Sequence, residues 1–251
     1  MDREGQPIKE RLKNKLYRMP KRIAILGDFN PVYSTHHALN NSIRQTLKKF
    51  DEDIQFDWIS TDTFNFRTAF NKLYCGLWIA PGSPYKNAEN VLDTITYVRQ
   101  NSIPTFGNCG GFQHMVIEYA RNVCGITNAD HEETNPDSRD LLISKLSCSL
   151  VEQEEHLTII DKNSIIFSII KKDKLLGKYF CSYGINSKYL DILKSNGLRT
   201  TAISDDGQVR AFEIENHRFF LGTLFQPALT STIDEPNPLI VEFVKQSMNG
   251  K

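Results

Sequence analysis

The sequence predicts an α/β fold with a doubly wound, mostly parallel sheet, and three observations lead to this prediction. Short apolar segments ending in turn residues alternate with longer amphipathic segments from residue 22 to about residue 128. The apolar segments are continuous, as in strands that are buried on both faces. Apolar residues make up 40% of the 251 residues, which is enough for a sizeable core. Such alternation predicts helices on both faces of a parallel sheet, with ligands bound at its carboxyl edge.

The first half of the chain supplies four predicted strands and three predicted helices. The strands are RIAILGDF, IQFDWIS, YCGLWIAPGSP and IPTFGNC, in chain order. The helices are STHHALNNSIRQTLKKF, AENVLDTITYVRQNS and GGFQHMVIEYARNVCG, each with apolar residues at helical spacing. Ser34 or Thr35 is the expected N-cap of the first helix, because a hydroxyl there can accept a free backbone N–H.

The second half of the chain predicts an added small β-hairpin region. ADHEETNPDSRD indicates a polar loop, and HLTIID, KLLGKYFCSYGIN, TAISDDGQVRAFEIE and HRFFLGTLF are β-like. The DDG turn between two alternating runs is typical of a hairpin, and NPLIVEFVKQSM predicts a closing helix. We expect residues 1–21 to form a tail or short helix and residues 22–251 to form a single domain.

Composition excludes several classes of function. Lys plus Arg and Asp plus Glu are 30 each, so no general field attracts nucleic acid or anionic membranes. No apolar run approaches the roughly 20 residues of a membrane span. The five cysteines form no CxxC pair, which predicts reduced thiols in a cytoplasmic protein and no metal site. No cofactor is expected.

The segment GNCGG, residues 107–111, indicates a nucleophile elbow with Cys109 at its corner. The N-terminus of the following helix favours the thiolate, and the Gly110 amide can help to hold an oxyanion. Gly82 and Ser83 of the APGSP turn are candidates for further oxyanion donors, because neighbouring turns meet at one sheet edge. The alternatives are a buried core cysteine in an ordinary turn and a simple strand terminator.

The block IPTFGNCGGFQHMVIEYARNVCGITNADHEETNPD resembles the glutamine amidotransferase domain of CTP synthase, a class I glutaminase with a Cys-His-Glu triad. Weaker similarity extends from Arg22 to Phe243. The resemblance implies a class I glutamine amidotransferase-like, flavodoxin-like fold, with Cys109 as the nucleophile and Gly82 in the oxyanion turn. It also implies that Gln113 and Glu133 hold the bound glutamine.

The sequence departs from the resembled family where that family has its base and acid. The F-H-P-E string of the family is replaced by FQPA, with Gln226 and Ala228 at the two triad positions. CSYGIN resembles the R-H-R-Y-E-V-N segment, but it keeps Tyr183 and lacks the arginine that grips the glutamine carboxylate. We therefore expect ordinary glutamine hydrolysis to be absent or weak. Without the synthetase domain of that family, this chain alone is not expected to make CTP.

Three histidines are candidates for a surrogate base. His36 and His37 begin the first helix at the same sheet edge as the elbow, and His131 lies beside Glu133. His114 follows Gln113 on the elbow helix. Each is otherwise a cap, surface or core residue. We expect the pocket to be lined by seven residues: Gly82, Ser83, Cys109, Gln113, Glu133, Tyr183 and Gln226.

Three hypotheses about function follow from these residues. The first is a cysteine-dependent amidohydrolase or acyl-transfer enzyme. The second is a non-catalytic module that binds a small ligand or a partner, and the third is a redox-active thiol protein in which Cys181 resolves Cys109. The expected partners are a small molecule resembling glutamine or another amide or acyl compound, and a partner synthetase or a second copy of the chain.

Overall fold

The computed structural model describes residues 20–249, and within them twelve strands form two sheets. The strands are β1 (Lys21–Leu26), β2 (Ile54–Ile59), β3 (Tyr74–Ile79), β4 (Thr105–Asn108), β5 (Ala129–His131), β6 (Asp140–Lys145), β7 (Glu154–Ile159), β8 (Lys174–Lys178), β9 (Tyr183–Ile185), β10 (Leu198–Ile203), β11 (Val209–Ile214) and β12 (Phe220–Thr223). The tail or short helix predicted at the N-terminus lies almost wholly outside the described residues.

Seven α-helices accompany these strands in the described part of the chain. They are α1 (Ser34–Leu47), α2 (Phe66–Lys72), α3 (Ala88–Gln100), α4 (Gly110–Asn122), α5 (Ile165–Ile170), α6 (Leu190–Ser195) and α7 (Pro238–Met248). None of the helices in residues 20–249 is long and apolar enough to cross a membrane.

The large sheet has nine strands in the order β2-β1-β3-β4-β12-β11-β10-β7-β8. The first five are parallel, and each of the remaining four pairs antiparallel with its neighbour. The predicted α/β class is confirmed, and the DDG turn joins the antiparallel pair β10 and β11. The antiparallel half is continuous with the parallel half, so the predicted hairpin region extends the main sheet.

The small sheet has the order β5-β6-β9 and packs against α4. Its first two strands include parts of the predicted polar loop ADHEETNPDSRD, so that prediction was wrong at both ends of the loop. The segment KLLGKYFCSYGIN forms β8 and β9, which belong to different sheets, with an irregular stretch at 179–182 between them. The pocket residue Tyr183 begins β9.

Other local predictions also differ from the structure. The N-cap of α1 is Tyr33, which has no capping side chain, and Ser34 is the first helical residue. The predicted cap was therefore wrong by one position. Sequence periodicity did not indicate α2, α5 or α6, because helices of six or seven residues are too short to show a face.

The central strand β4 carries the elbow, and it is buried along its whole length between β3 and β12. Its last residue, Asn108, accepts a hydrogen bond of 2.7 Å from the Trp78 indole of β3. The Asn108 side-chain amide donates to Thr223 Oγ1 of β12, also at 2.7 Å. Asn108 thereby ties three strands together at the edge where the chain turns into Cys109.

Candidate active site

Cys109 occupies the corner between β4 and α4 in a strained backbone conformation. Its φ is +50° and its ψ is −110°, which side-chain-bearing residues rarely adopt. Its backbone N–H donates to the carbonyl of Thr223 at 3.0 Å, and its carbonyl accepts from Gln113 N–H at 3.1 Å. These bonds hold the strained corner in place, and strain of this kind is typical of a nucleophile elbow.

Small residues around the corner allow the close packing that the elbow needs. A Cβ on Gly111 would clash with the Ile79 carbonyl oxygen and lie 3.0 Å from Ile79 Cβ. A Cβ on Gly110 would lie 2.9 Å from Ser83 Cβ and 3.0 Å from Ser83 N. The APGSP turn therefore lies directly against the first turn of α4.

That arrangement brings the three candidate oxyanion residues, Gly82, Ser83 and Gly110, to one place. Gly82 has a φ of +102°, where a side chain would be strained. The first amides of an α-helix have no partner within the helix. The Gly110 N–H, at the start of α4, can therefore donate to a ligand. The arrangement can support an oxyanion between two backbone segments.

A cavity of about 460 Å³ opens beside Cys109. Its wall includes all seven residues expected from the sequence, so the structure brings them together. The complete wall is Val32, Tyr33, Ser34, Thr35, Pro81, Gly82, Ser83, Cys109, Gln113, Glu133, Val151, Phe180, Cys181, Ser182, Tyr183 and Gln226.

The rim of the cavity is apolar, which the sequence analysis missed. Val32, Tyr33, Val151 and Phe180 are among the exposed large hydrophobic side chains of the described chain, and all four lie in the wall. Their positions in loops and at a helix start gave no periodic signal. Two adjacent apolar residues directly before α1, Val32 and Tyr33, were the sequence feature that could have indicated this rim.

The buried Gln113 side chain joins the elbow helix to the small sheet. Its Nε2 donates to the Tyr183 carbonyl at 3.0 Å, and its Oε1 lies 3.1 Å from His131 Nε2 and 3.5 Å from Ser83 Oγ. An amide nitrogen has two hydrogens, so one of them remains for a ligand. Contacts within the protein therefore occupy most of the hydrogen-bonding capacity of the Gln113 side-chain amide.

Two of the candidate histidines have both ring nitrogens engaged. His36 Nδ1 accepts from the Asn30 backbone N–H at 3.0 Å, so its Nε2 donates to the Pro81 carbonyl at 2.9 Å. His131 Nδ1 likewise accepts from the Glu133 N–H at 3.1 Å, and its Nε2 donates to Gln113. A general base needs a free lone pair facing the proton that it removes, and these contacts leave neither ring one.

Burial also favours the neutral form of these two histidines. Burial lowers the pKa of His36 below its usual value, and it lowers the pKa of His131 to about 4. His37 is exposed, with Nε2 2.7 Å from the Pro31 carbonyl, and it does not line the cavity. The buried His114 donates from Nδ1 to the Gly110 carbonyl at 2.9 Å and is likewise outside the wall.

Gln226 lies in the cavity wall with only 2% of its surface exposed. Its backbone N–H donates to the Lys178 carbonyl at 2.8 Å, which fixes the strand-to-turn connection after β12. Ala228 is also buried, in the short 3₁₀ turn that follows. A carboxamide can donate and accept hydrogen bonds, but it does not titrate near neutral pH.

The charge of the cavity wall is one-sided. Among the described residues that line it, there is no Lys, Arg or His, and Glu133 is its carboxylate. Burial raises the pKa of Glu133 above its usual value. No described group of three or more His, Cys, Asp or Glu side chains is arranged to hold a metal ion. The wall can attract an ammonium group but offers no cation to a carboxylate.

The cavity wall contains a second thiol, Cys181. Its side chain hydrogen-bonds to that of Cys109, and this contact, together with burial, raises the pKa of Cys181 well above its usual value. Cys109 Sγ lies 3.8 Å from the carbonyl oxygen of Phe180, the residue before Cys181. Cys109 Sγ therefore lies next to the backbone that leads into Cys181.

Comparisons with known proteins agree with this architecture. The family model "Glutamine amidotransferase class-I" matches residues 32–246. A CTP synthase from Cytophaga hutchinsonii is 28% identical over 94% of this chain and 45% of its own length. A CTP synthase from Flavobacterium psychrophilum is 32% identical over 70% of this chain and 34% of its own length. The chain therefore spans less than half the length of these two curated relatives.

Among solved structures, the glutaminase domain of Trypanosoma brucei CTPS with bound acivicin has the same fold. Its TM-score is 0.83 at 23% identity, and the match covers 92% of this chain and 95% of that domain. The family model covers most of the described residues, including the elbow, the turn beside it and the strand before Gln226. This chain belongs to the class I glutamine amidotransferase family.

Proposed function

We propose that this chain binds a neutral or cationic amide or acyl compound at Cys109 and that ordinary glutamine hydrolysis is absent or weak. The supporting observation is the composition of the cavity wall, whose described residues include one carboxylate and no basic side chain. Glu133 can receive an ammonium group, as the resemblance implies, but nothing in the described wall offsets the α-carboxylate of glutamine. The ligand class is therefore shifted towards compounds without that carboxylate.

Hydrolysis of an amide also needs a proton for the departing nitrogen. A histidine usually removes the thiol proton and returns it to the leaving group. Gln226 occupies the expected position of that histidine, and His36 and His131 are engaged elsewhere. Cys109 can still attack, with the amides of Gly82, Ser83 and Gly110 holding the oxyanion. Acyl compounds whose leaving group needs no proton, such as thioesters, are then the favoured substrates.

The curated relatives are CTP synthases of greater length, and a partner synthetase or a second copy of the chain stays a prediction. A cytoplasmic location also stays a prediction from the cysteine content. The apolar rim of Val32, Tyr33, Val151 and Phe180 supports either an apolar group on the ligand or a partner surface above the cavity.

The test compares L-glutamine with L-glutaminamide, which differ only in the α-carboxylate. Protection of Cys109 from alkylation reports binding, with Cys109→Ser as the background. We expect glutaminamide to protect at a concentration at least about tenfold lower than glutamine, roughly 1.4 kcal/mol of binding free energy. Equal protection by the two compounds, or stronger protection by glutamine, would contradict the proposal.

A matched variant locates the amine contact. Glu133→Gln keeps the size of the side chain and removes its charge, so it should weaken protection by glutaminamide. The chemistry is followed in parallel as Cys109 acylation by a neutral thioester and as ammonia release from glutaminamide. Acylation without comparable ammonia release is the expected result, and rapid ammonia release by the unmodified chain would contradict the missing-base argument.

A further inference from the structure

Cys109 and Cys181 are the two cysteines of the described chain that line the cavity. Both are buried to the same extent, with 7% of their surface exposed, so each is reachable only through the cavity. Cys75, Cys124 and Cys148 lie outside the wall. Cys75 Sγ is 3.2 Å from the Arg22 carbonyl oxygen, and Cys124 Sγ is 3.9 Å from that of Ile192.

The structure holds Cys181 firmly beside Cys109. The carbonyl of Cys181 accepts from Leu150 N–H at 3.0 Å, and the next carbonyl, of Ser182, accepts from Leu146 N–H at 2.9 Å. Cys181 Sγ contacts the Leu224 carbonyl oxygen at 4.0 Å. These contacts fix Cys181 in the wall of the cavity that Cys109 also lines, next to the Phe180 carbonyl that Cys109 Sγ approaches.

The surroundings of the pair favour one class of reaction. A thiolate that leaves a disulfide departs as an anion and needs no proton from the protein. None of the described wall residues is a basic side chain that could protonate an amine or an alkoxide, but disulfide cleavage needs no such group. Cys109 precedes the first residue of α4, which is thirteen residues long, and a helix N-terminus is a typical position for an attacking thiol.

We propose that Cys109 and Cys181 form a redox-active dithiol that reduces small neutral disulfides and closes into an intramolecular disulfide. This activity goes beyond the amide or acyl binding proposed above and does not depend on it. Cys109 is the attacking thiol because it lies at the helix N-terminus. Cys181 is the resolving thiol because it lines the same cavity and directly follows Phe180, whose carbonyl oxygen lies 3.8 Å from Cys109 Sγ.

The reaction balances in two exchanges. In the first, the Cys109 thiolate attacks one sulfur of a disulfide R–S–S–R, the S–S bond breaks, and one RS⁻ leaves while Cys109–S–S–R forms. In the second, Cys181 loses its proton to solvent or to the released thiolate and attacks Cys109 Sγ. The second RS⁻ leaves, and the Cys109–Cys181 disulfide remains. R–S–S–R is reduced by two electrons to two thiols, and the dithiol is oxidised by two electrons.

The experiment treats the reduced full chain with bis(2-hydroxyethyl) disulfide, which is small and carries no charge that the Glu133 carboxylate of the wall could repel. The mixture is quenched with N-ethylmaleimide and analysed by peptide mass mapping, and released 2-mercaptoethanol is measured. We expect the peptides that contain Cys109 and Cys181 to be cross-linked, with two thiols released per chain.

Variants separate the two exchanges. Cys181→Ser should stop at the mixed disulfide on Cys109 and release one thiol, and Cys109→Ser should form neither product. Cys148→Ser removes an exposed thiol outside the cavity and should leave the cross-link intact. If the unmodified chain stops at a mixed disulfide, stays fully alkylatable or pairs either thiol with Cys148, the proposal is wrong. That conclusion needs only the unmodified chain, so it holds even if a variant fails to fold.

Failure here is distinguishable from failure of the proposed function. Protection of Cys109 by glutaminamide is measured on the reduced chain without a disulfide, and the cross-link is measured without an amide. A chain that binds glutaminamide but forms no cross-link would overturn the dithiol alone.

Discussion

The two sides of the cavity differ in how closely their sequences match the resembled family and in how they are packed. The elbow side, formed by β4, Cys109, the first turn of α4 and the APGSP turn, keeps the pattern of the resembled family and is packed so closely that glycines are required. The facing side consists of residues 179–183 and 225–228, where the sequence predicts that the base, the acid and the arginine of that family are missing. Backbone hydrogen bonds tie it to neighbouring segments, such as those from Leu150 N–H to the Cys181 carbonyl and from Gln226 N–H to the Lys178 carbonyl.

This difference separates the requirements of the nucleophile from those of the substrate. The elbow side fixes a thiol at a helix N-terminus, and that geometry serves any reaction of a thiolate. The facing side sets which proton is supplied and which charge is accepted. A change on the facing side can therefore alter the reaction while the elbow stays intact.

The largest effect is expected from restoring the base and the acid together. Gln226→His with Ala228→Glu should raise ammonia release from glutaminamide by about 10²-fold or more, because a positioned histidine typically contributes on that order. Ammonia release at saturating glutaminamide measures the effect. Gln226→His alone should gain less, and adding Cys109→Ser to the double variant should abolish the gain. No increase in the double variant would show that more than the two side chains separates this cavity from a glutaminase.

The close packing of the elbow side predicts a large loss of stability in Gly111→Ala. The new Cβ would clash with the Ile79 carbonyl, which is fixed in the sheet, so the free energy of unfolding should fall by about 3 kcal/mol. Urea unfolding measures it. Gly125→Ala is the control, because a Cβ there meets nothing within 4 Å and only its φ of +73° opposes the change. The control should lose about 1 kcal/mol, and equal losses would contradict the clash.

Low pH should lower the free energy of unfolding, because the unfolded chain takes up a proton on His114 that the folded chain does not. Burial lowers the pKa of His114 from 6.5 to about 4 in the folded chain, so the unfolded chain binds more protons between these values. Stability is full above pH 6.5 and falls as the pH drops towards 4. Between pH 7 and pH 5 the loss is about 2 kcal/mol for this histidine. His131, also near pKa 4, adds to the slope.

His114→Gln isolates that contribution, because glutamine can donate to the Gly110 carbonyl but does not titrate. Urea unfolding at pH 7 and pH 5 should show a smaller drop in stability for the variant than for the unmodified chain. An unchanged drop would mean that other groups carry the pH dependence.

The smallest effect is expected where the two sides meet. Gln113→Leu removes the amide that links α4 to His131 and Tyr183, and it leaves the buried His131 Nε2–H without an acceptor. The expected loss is about 1–2 kcal/mol in the free energy of unfolding, with weaker protection of Cys109 by glutaminamide. Gln45→Leu on the far end of α1 is a control of the same chemistry, because the structure shows no partner for Gln45 Oε1. A loss in Gln113→Leu no greater than in the control would argue against the link.

Much of the fold was predictable from the sequence because long elements carry a periodic pattern. The predicted segments for β2, β3, α3, α4 and α7 contain the observed elements, and the segment predicted for β1 misses only its first residue, Lys21. Short helices such as α2 and α5, and short strands such as β5, were missed because segments of seven residues or fewer do not define a period. The split of one β-like run into β8 and β9 followed from pairing with two different sheets.

The candidate site divides in the same way. The sequence indicated Cys109, Gly110 and Gly82 because a nucleophile elbow needs small residues at fixed neighbouring positions. It offered His36 and His131 as bases because a histidine near a sheet edge can titrate. Their actual partners, Asn30, Pro81 and Gln113, could not be read from the chain, because each hydrogen bond depends on how separate elements pack.

By itself, the sequence determined the alternation of strands and helices and the position of the elbow, and it predicts that Gln226 and Ala228 replace a base and an acid. These are local patterns or single residues, and they need no knowledge of distant contacts. Only the tertiary structure decided that Cys181 lines the same cavity as Cys109, that the histidines are engaged and that no cation lines the described cavity wall. These properties arise from side chains that are distant in the chain and adjacent in space, and only the packed chain fixes their contacts.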